Sequence, residues 1–152
     1  MEIGVADGDN ARKMVTVACQ NVPVEEMEYY GFDTFGENDD DSQMKMVRQK
    51  LERTGCKFRL FKGDSVKTLP KVLRLLPKMD LIFIDGDHSY PTVKSDWENS
   101  KSLMSNKTAV FFHNYNFSGV KQVVDNIPRE QYQVEIMDPP SDCPTAQVKK
   151  KI

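Results

Sequence analysis

A short apolar segment near the middle of the chain ends abruptly in groups that can do chemistry. Residues 81–84 are Leu-Ile-Phe-Ile, and Asp85, Gly86, Asp87 and His88 follow at once. Four apolar residues in a row predict a strand buried on both faces, because a strand with one solvated face would alternate polar and apolar side chains. Carboxylates and an imidazole at the end of such a strand require solvent, partners or a ligand, and ligands bind at this end in open α/β sheets. We therefore expect the chemical centre here, with groups able to accept a proton or to bind a cation.

Glycine or polar residues follow four other apolar segments in the same way. In chain order, the five strand ends contribute Glu2, Gly4 and Gly8, then Asp33, then Asp64, then Asp85 and Asp87, then His113 and Asn114. One acid after a strand is unremarkable, but the carboxyl ends of parallel strands meet at one edge of a doubly wound sheet. The repetition therefore predicts a ligand-binding rim that several strands build together.

The elements that must position these residues alternate along the chain. Apolar segments predict strands at residues 1–5, 28–35, 57–62, 81–84, 108–112, 132–137 and 146–152. Helical periodicity predicts a helix around Met14 and further helices at residues 43–53, 66–76, 91–104 and 118–127. This order predicts an α/β fold, with a parallel sheet, helices on both faces and an antiparallel edge at the end.

The composition limits the class of protein. The chain has 152 residues, of which 39% are hydrophobic and 29% charged, and this suits one globular domain at residues 1–152. A formal net charge of -2 gives no electrostatic support for a nucleic-acid partner. No apolar run approaches the roughly 18 residues that span a bilayer, and no secretion signal is recognisable. We therefore expect no membrane association and a cytoplasmic location.

Two further features are expected to be structural rather than chemical. Cys19, Cys56 and Cys143 are odd in number and form no C-x-x-C pair, which favours free thiols over a disulfide framework or a zinc site. Residues 36–41 form an acidic loop. We expect this loop to start the next helix as an N-cap rather than to bind calcium, because the ligand spacing of an EF-hand is absent.

The first predicted strand is already under way at Met1. A domain of this kind usually has helices ahead of that strand. We expect either a truncated or mis-started chain that lacks these N-terminal helices, or a partner subunit, as in a homodimer, that supplies the missing cover.

The turn after the first strand favours a nucleoside ligand. The Gly4-x-x-x-Gly8 spacing lets a backbone approach a ligand closely, and Asp33 can accept hydrogen bonds from the hydroxyls of a ribose. Ala6 occupies the middle position of the G-x-G-x-x-G fingerprint. A pyrophosphate cradle is therefore less expected than a nucleoside site without phosphates, although an NAD-type site shares the predicted fold.

Five segments in order resemble the successive motifs of class I S-adenosylmethionine (SAM)-dependent methyltransferases. They are Glu2-Ile-Gly-Val-Ala-Asp-Gly-Asp, Tyr30-Gly-Phe-Asp-Thr-Phe, Gly63-Asp-Ser, Phe83-Ile-Asp-Gly-Asp-His-Ser-Tyr and Phe112-His-Asn-Tyr. The branch they resemble is the small-molecule O-methyltransferase-like group whose fourth strand ends in Ile-Asp-Gly-Asp-His-x-Tyr. The resemblance extends to about residue 127. It implies a Rossmann-like, doubly wound, mostly parallel seven-stranded sheet with an antiparallel last strand and helices on both faces.

The resemblance also implies roles for the residues of the rim. The loop that contains Glu2, Gly4 and Gly8 would hold the methionine moiety of SAM, and Asp33 would bind the ribose hydroxyls. Asp64 and Ser65 would lie near the adenine.

At the fourth strand end, the resemblance places Asp85 beside the donor methyl group. Related metal-dependent members use the equivalent acid as a divalent-metal ligand, and Asp87 or His88 would be the general base. His88 is equally open to a supporting role, in which it is hydrogen-bonded to the turn.

Methyl transfer to a hydroxyl needs the oxygen deprotonated and in line with the sulfonium methyl, which a base, a metal or both can achieve. Mg²⁺ prefers oxygen ligands, and Asp85 with Asn114 could supply two. The family pattern more often has an aspartate where this chain has Asn114, and the amide adds no charge. A requirement for Mg²⁺ is therefore left open.

The leading hypothesis is a SAM-dependent enzyme that methylates an oxygen of a small-molecule acceptor. A SAM-binding module without turnover of its own is the alternative. An NAD-type oxidoreductase is less favoured, because the fingerprint glycines are incomplete.

Overall fold

The computed structural model describes residues 1–36 and 41–152. In these two segments the chain forms seven strands: β1 Glu2–Ile3, β2 Glu28–Asp33, β3 Lys57–Lys62, β4 Met79–Ile84, β5 Met104–Phe112, β6 Tyr132–Met137 and β7 Thr145–Lys150. The α-helices of the same segments are α1 Asp9–Ala18, α2 Ser42–Glu52, α3 Ser65–Val72, α4 Tyr90–Lys101 and α5 Ser118–Asp125. Short 3₁₀ turns cover Val24–Glu26 and Leu73–Leu75.

The strands form one sheet in the order β3-β2-β1-β4-β5-β7-β6. Strands β1 to β5 pair in parallel, whereas β7 is antiparallel to both of its neighbours, β5 and β6. Ile3 of β1 pairs with Phe32 of β2 on one side and with Ile84 of β4 on the other. The strand order therefore reverses between β1 and β4, which is the position at which doubly wound sheets bind ligands. The predicted Rossmann-like fold is confirmed.

Helices cover both faces of the sheet. On one face α3, α4 and α5 bury the larger apolar core, in which the ring of Trp97 lies 5.6 Å from Phe112 and 5.3 Å from Tyr132. On the other face α1 and α2 bury a smaller core around Val15 and Val47. Within residues 1–36 and 41–152, none of these helices combines the length and apolar composition that a bilayer span requires.

The prediction that residues 81–84 are buried on both faces is wrong. Ile82 and Ile84 are buried in the larger core, but Leu81 is 38% exposed and Phe83 is half-buried. Successive side chains of a strand point to opposite faces, so Leu81 and Phe83 share the face of the smaller core. The helices of that face pack mainly on residues of β2 and β3, and they leave this part of β4 less covered.

The boundary between α4 and β5 also differs from the prediction. The helix was expected to continue to Met104, but α4 ends at Lys101 and Met104 begins β5. Met104 pairs with Met79 of β4, and Met79 N–H donates to the carbonyl of Leu103 at 2.9 Å. The spacing of Met104 would also suit the inward face of the helix, which is why the sequence pattern included it. Pairing with β4 makes it the first residue of β5 instead.

Most of the acidic loop, residues 37–40, lies outside the described residues, and the N-cap expectation can be followed only at its end. Asp41 occupies the position before α2. Its carboxylate pairs with the ammonium of Lys62 at 2.8 Å rather than with the helix backbone.

After Ile3, the first strand approaches the end of β4 so closely that only a glycine fits. Gly4 has a φ of +89°, and a Cβ at this position would lie 2.1 Å from the carbonyl oxygen of Asp85. The backbone on both sides is held in place, because Gly4 N–H donates to Phe32 at 2.8 Å and Asp85 N–H donates to Ile3 at 2.8 Å. The missing side chain of Gly4 thus sets the distance between β1 and the end of β4.

We expect Gly4→Ala to lower the free energy of unfolding much more than Gly55→Ala does. Both glycines have positive φ, +89° and +79°, so both substitutions carry a strain of about 1–2 kcal/mol. A Cβ at Gly55 would meet nothing closer than 3.6 Å. The difference between the variants, measured by urea denaturation, therefore reports the backbone clash, and equal losses would contradict this close approach.

A carboxylate is buried in the larger core, on the inward side of α4. The buried residues of this helix are Val93, Asp96, Trp97 and Ser100. Asp96 is 0% exposed, and among the described residues neither of its oxygens has a hydrogen-bond partner of standard geometry. Burial raises the pKa of Asp96 to about 7, against a smaller opposing effect of the Ser65 hydroxyl. Asp96 is therefore held largely in its neutral form below neutral pH.

The folded protein keeps a proton on Asp96 at pH values at which the unfolded chain has released it. The free energy of unfolding should therefore fall as the pH rises from 3.8, the ordinary value, towards about 7, and this group contributes at most about 4 kcal/mol to the fall. We expect Asp96→Asn to flatten the fall, whereas Glu98→Gln, an exposed change on the same helix, should not. Urea denaturation at about pH 5 and about pH 8 measures this effect, and an unchanged slope in Asp96→Asn would refute it.

Candidate functional site

A cavity of about 660 Å³ opens at the carboxyl ends of β1 to β4. Most of its lining comes from residues at or just after the ends of these four strands: Gly4, Ala6, Asp33, Thr34, Gly63, Asp64, Ser65, Asp85, Gly86 and Asp87. The cavity lies where the strand order reverses. The structure thus brings Gly4, Asp33, Asp64, Ser65, Asp85 and Asp87 together, while Glu2, Gly8, His88 and Asn114 lie outside the lining.

Asp33 lines the cavity and also fixes the loop that follows β1. One carboxylate oxygen accepts the backbone N–H of Val5 at 2.7 Å and that of Ala6 at 2.9 Å. The other oxygen accepts the N–H of Phe35 at 2.6 Å. A carboxylate that accepts several backbone N–H groups is strongly oriented. Asp33 therefore shapes the glycine loop in addition to facing the cavity.

Asp64 and Ser65 enter the cavity at the start of α3. Asp64 is the N-cap of this helix, and its Oδ1 accepts the N–H of Val66 at 3.0 Å. The other oxygen lies 3.4 Å from the ammonium of Lys67. A helix cap is a well-defined position, so β3 and α3 together hold the Asp64 carboxylate at the cavity wall.

Glu2 and Gly8 lie outside the cavity lining and contact the elements around it. Glu2 is 1% exposed and accepts hydrogen bonds from Asn10 Nδ2 at 2.8 Å and from the Tyr29 hydroxyl. Burial raises the pKa of Glu2 to about 7. A Cβ on Gly8 would meet the side chain of Val47 at 3.1 Å. Both residues therefore join the loop after β1 to α1, α2 and β2.

The carboxylate of Asp85 lies between two imidazoles. Its Oδ1 is 3.0 Å from His113 Nδ1 and 3.5 Å from His88 Nε2. The His88 ring packs on Phe117 with ring centroids 4.7 Å apart. By contrast, Asp87 Oδ1 accepts the N–H of Ser89 at 2.6 Å, at the turn into α4. Asp85 is thus the centre of the polar contacts at this strand end.

His113 belongs to a chain of carboxylates and imidazole that continues away from the cavity. Its Nε2 lies 3.2 Å from Asp142 Oδ1, on the loop between β6 and β7. Burial alone would lower the pKa of His113, but the neighbouring carboxylates of Asp85 and Asp142 outweigh that effect and raise it. Sequence reasoning did not find Asp142, because the loop between β6 and β7 carries no strand-end or helix-periodic signal.

Asn114 is buried and has a positive φ of 55°. Its backbone carbonyl accepts the N–H of Phe117 at 2.9 Å in the turn that leads to α5. The carboxylate of Asp85 contacts the imidazoles of His113 and His88 instead. Asn114 therefore has a clear structural role in the turn.

Asp96 lies behind the floor of the cavity and was also missed. A Cβ on Gly86 would be 4.0 Å from Asp96 Oδ2. The signal was present in the sequence, because Asp96 occupies the i+3 position after Val93 in the inward stripe of α4. An acidic residue among the buried side chains of α4 indicates a polar environment between this helix and the sheet.

The charge of the cavity is negative. Asp33, Asp64, Asp85 and Asp87 line it, and none of the described lining residues is a lysine or an arginine. Carboxylates around a cleft favour a cationic ligand and repel phosphates. The site therefore suits a ligand that carries positive charge.

A second cavity, of about 540 Å³, lies near the amino ends of β2 and β4. Its lining includes Met1, Met14, Val22 and Leu81. It contains none of the strand-end residues that form the first cavity, so the chemistry belongs to the first.

Comparison with known proteins agrees with this geometry. A family model described as a methyltransferase domain matches residues 1–115. A comparison with curated protein sequences found no significant match.

Several solved structures have a similar fold. A TDP-rhamnose 3'-O-methyltransferase of calicheamicin biosynthesis has a TM-score of 0.80 and 19% identity, and the match covers 98% of this chain and 70% of that one. The O-methyltransferase TomG from Streptomyces achromogenes, solved with SAM, has a TM-score of 0.75 and 11% identity, with 99% and 72% covered. An O-methyltransferase from Bacillus cereus, solved with S-adenosylhomocysteine (SAH), has a TM-score of 0.74 and 14% identity, with 99% and 72% covered.

These structures share the overall fold observed in this chain. The family match covers the strand ends of β1 to β5, which include every strand that contributes to the cavity. The chain belongs to the methyltransferase domain family.

Proposed function

We propose that this protein is a class I SAM-dependent methyltransferase that transfers a methyl group to an oxygen of a small molecule. One observation carries the proposal: the walls of one cavity at the strand-order reversal come from Gly4, Asp33, Asp64 and Asp85. The loop after β1 would hold the methionine moiety, Asp33 the ribose hydroxyls, and Asp64 with Ser65 the adenine. Residues 1–152 would form one SAM-binding domain, because β1 to β7 belong to one sheet.

The charge of the cavity supports SAM over a dinucleotide. SAM carries a positive sulfonium, which four carboxylates would attract. The amides of Val5 and Ala6, which would face a pyrophosphate in a dinucleotide site, already donate to Asp33. An NAD-type reaction is therefore disfavoured by the hydrogen bonds of the loop as well as by its missing glycine.

The acceptor class is supported by the similar solved proteins, which are O-methyltransferases. One of them acts at the 3' oxygen of TDP-rhamnose. We extend only the general chemistry to this chain, namely a hydroxyl on a small molecule.

The reaction requires a group that removes the hydroxyl proton. The acceptor oxygen forms a bond to the methyl carbon while the S–CH₃ bond breaks, and sulfur keeps the electron pair as SAH leaves. We assign the proton to Nδ1 of His88, at the edge of the cavity lining, because Nε2 of this ring is buried and faces Asp85 at 3.5 Å. Asp85 would orient the imidazole and stabilise its charged form, as a carboxylate does beside a catalytic histidine. Asp87 stays a prediction as the alternative base, although its Oδ1 is engaged by Ser89 N–H.

The residues around Asp85 do not suit Mg²⁺. This ion prefers oxygen ligands in octahedral geometry, whereas the nearest side chains to Asp85 Oδ1 are the imidazoles of His113 and His88. Asn114 would add a neutral amide, and its backbone is committed to the turn before α5. We therefore route no step of the proposed reaction through a metal at Asp85 and Asn114.

We expect isothermal titration of the chain to show binding of both SAM and SAH, with no competition from NAD. Asp64→Asn should weaken SAM binding by about tenfold, because a charged hydrogen-bond acceptor at the adenine becomes neutral. Asp80→Asn is the matched control, since Asp80 is exposed near the amino end of β4. If neither SAM nor SAH binds to the chain, the proposed function is wrong.

Asp85→Asn should lower methyl transfer by about 10²-fold or more, because His88 loses the carboxylate that orients its ring and stabilises its charged form. SAH formation from SAM, in the presence of a panel of hydroxylated sugars and phenols, gives the measurement. The Asp80→Asn variant, changed on the strand that leads to Asp85, should form SAH at the wild-type rate. Unchanged product formation by Asp85→Asn would show that the base lies elsewhere. SAM binding without turnover of any acceptor would favour a non-catalytic module.

A further inference from the structure

Three side chains, of which His113 contacts Asp85, bring one nitrogen, one oxygen and one sulfur donor together. His113 Nε2 lies 3.2 Å from Asp142 Oδ1. These atoms and the Sγ of Cys143 all lie within 4.8 Å of one another. With bonds of about 2.0 to 2.3 Å, a tetrahedral zinc ion holds such donors roughly 3.3 to 3.6 Å apart, and it binds these three types of ligand. The separation of His113 and Asp142 already matches this spacing, and the thiol of Cys143 lies within about 1.5 Å of it. We propose that His113, Asp142 and Cys143 form a binding site for a borderline divalent cation such as Zn²⁺.

The hydrogen bond on the other side of His113 supports the assignment. His113 Nδ1 pairs with Asp85 Oδ1 at 3.0 Å, which leaves Nε2 as the nitrogen that faces Asp142. Histidines that bind metals generally donate their second N–H to a carboxylate, which fixes the tautomer and the ring orientation. Asp85 would therefore be the carboxylate that orients the metal-binding His113. Asp85 lines the cavity and His113 does not, so the cation site would lie next to the cavity.

The loop that carries the other two donors is tied to the end of β5. Tyr115 N–H donates to the carbonyl of Pro144 at 2.8 Å, directly after Cys143. Cys143 N–H donates to Asp142 Oδ1 at 2.7 Å, which positions the carboxylate relative to the thiol. The three ligands are thus close before any ion arrives, so binding does not have to order the loop.

Charge and access also fit a divalent cation. The carboxylate of Asp142 and a thiolate at Cys143 would balance a double positive charge, and Asp85 adds a further negative charge behind His113. The Asp142 side chain is 64% exposed. An ion can therefore reach the site from solvent without passing through the cavity.

The sulfur makes the site different from an oxygen site for Mg²⁺. A thiolate and an imidazole select borderline metals such as Zn²⁺ over hard ions. The cysteine pattern did not predict such a site, because its ligands come from two segments rather than from a C-x-x-C pair. A plain ion pair between His113 and Asp142 is the competing explanation, and it gives Cys143 no part.

The test is a calorimetric titration of the tag-free full chain with ZnCl₂ and, separately, with MgCl₂. We expect about one Zn²⁺ per chain and much weaker binding of Mg²⁺. Cys143→Ser and Asp142→Asn should each weaken Zn²⁺ binding by about tenfold or more. Cys19→Ser is the matched control, because Cys19 is also a partly exposed free cysteine but lies after α1.

Cobalt substitution gives a second readout that does not depend on affinity. A Co²⁺-loaded chain should show a thiolate-to-cobalt charge-transfer absorption that Cys19→Ser retains and Cys143→Ser loses. Circular dichroism of each variant checks that it is folded. Equal Zn²⁺ affinity in Cys143→Ser and the wild type, or no Zn²⁺ binding by the folded wild type, would overturn the proposal.

This site is independent of the proposed function. The Zn²⁺ titration contains no SAM, and the SAM titration contains no metal. A chain that binds Zn²⁺ but not SAM would overturn the methyltransferase proposal alone, and the opposite result would overturn the cation site alone.

Discussion

The close approach of Gly4 to the backbone of Asp85 is the constraint on which the rest of the site depends. A Cβ at Gly4 would lie 2.1 Å from the Asp85 carbonyl oxygen, so β1 and β4 meet there with backbone against backbone. Strand order reverses at this contact, and the helices that follow the two strands leave on opposite faces. The cavity is the space that this divergence creates.

Several carboxylates at the cavity have two tasks each. Asp33 faces the cavity and holds the amides of Val5 and Ala6, while Asp64 faces it and caps α3. The hydrogen bonds that hold these carboxylates come from backbone N–H groups, which need an acceptor in any folded structure. The protein thereby keeps a strongly negative cavity in a defined shape, and a cationic ligand would relieve the repulsion between the carboxylates.

Two buried acids near the cavity affect the stability of the fold. Glu2 and Asp96 lie behind the cavity, and burial raises the pKa of each to about 7. Glu2 has Asn10 and Tyr29 as partners, whereas Asp96 has no partner of standard geometry among the described residues. Asp96 is therefore the less stable of the two, since an unpaired carboxylate in the core lowers the free energy of unfolding once it is ionised.

The sequence by itself determined the fold class and the strand ends, because both depend on local patterns. Runs of apolar residues that break into Asp33, Asp64 or Asp85 are readable without knowledge of neighbours, and parallel strands must bring such breaks to one edge. Even Asp96 was readable in principle from its place in the inward stripe of α4. Tertiary structure alone decided which groups surround Asp85. The partner in closest contact is His113 rather than Asn114, and Asp142 lies 29 positions further along the chain. It also decided that Leu81 is exposed, since helices on that face pack mainly on β2 and β3. Contacts between distant segments depend on loop paths and on helix placement, and neither leaves a periodic signal in the sequence.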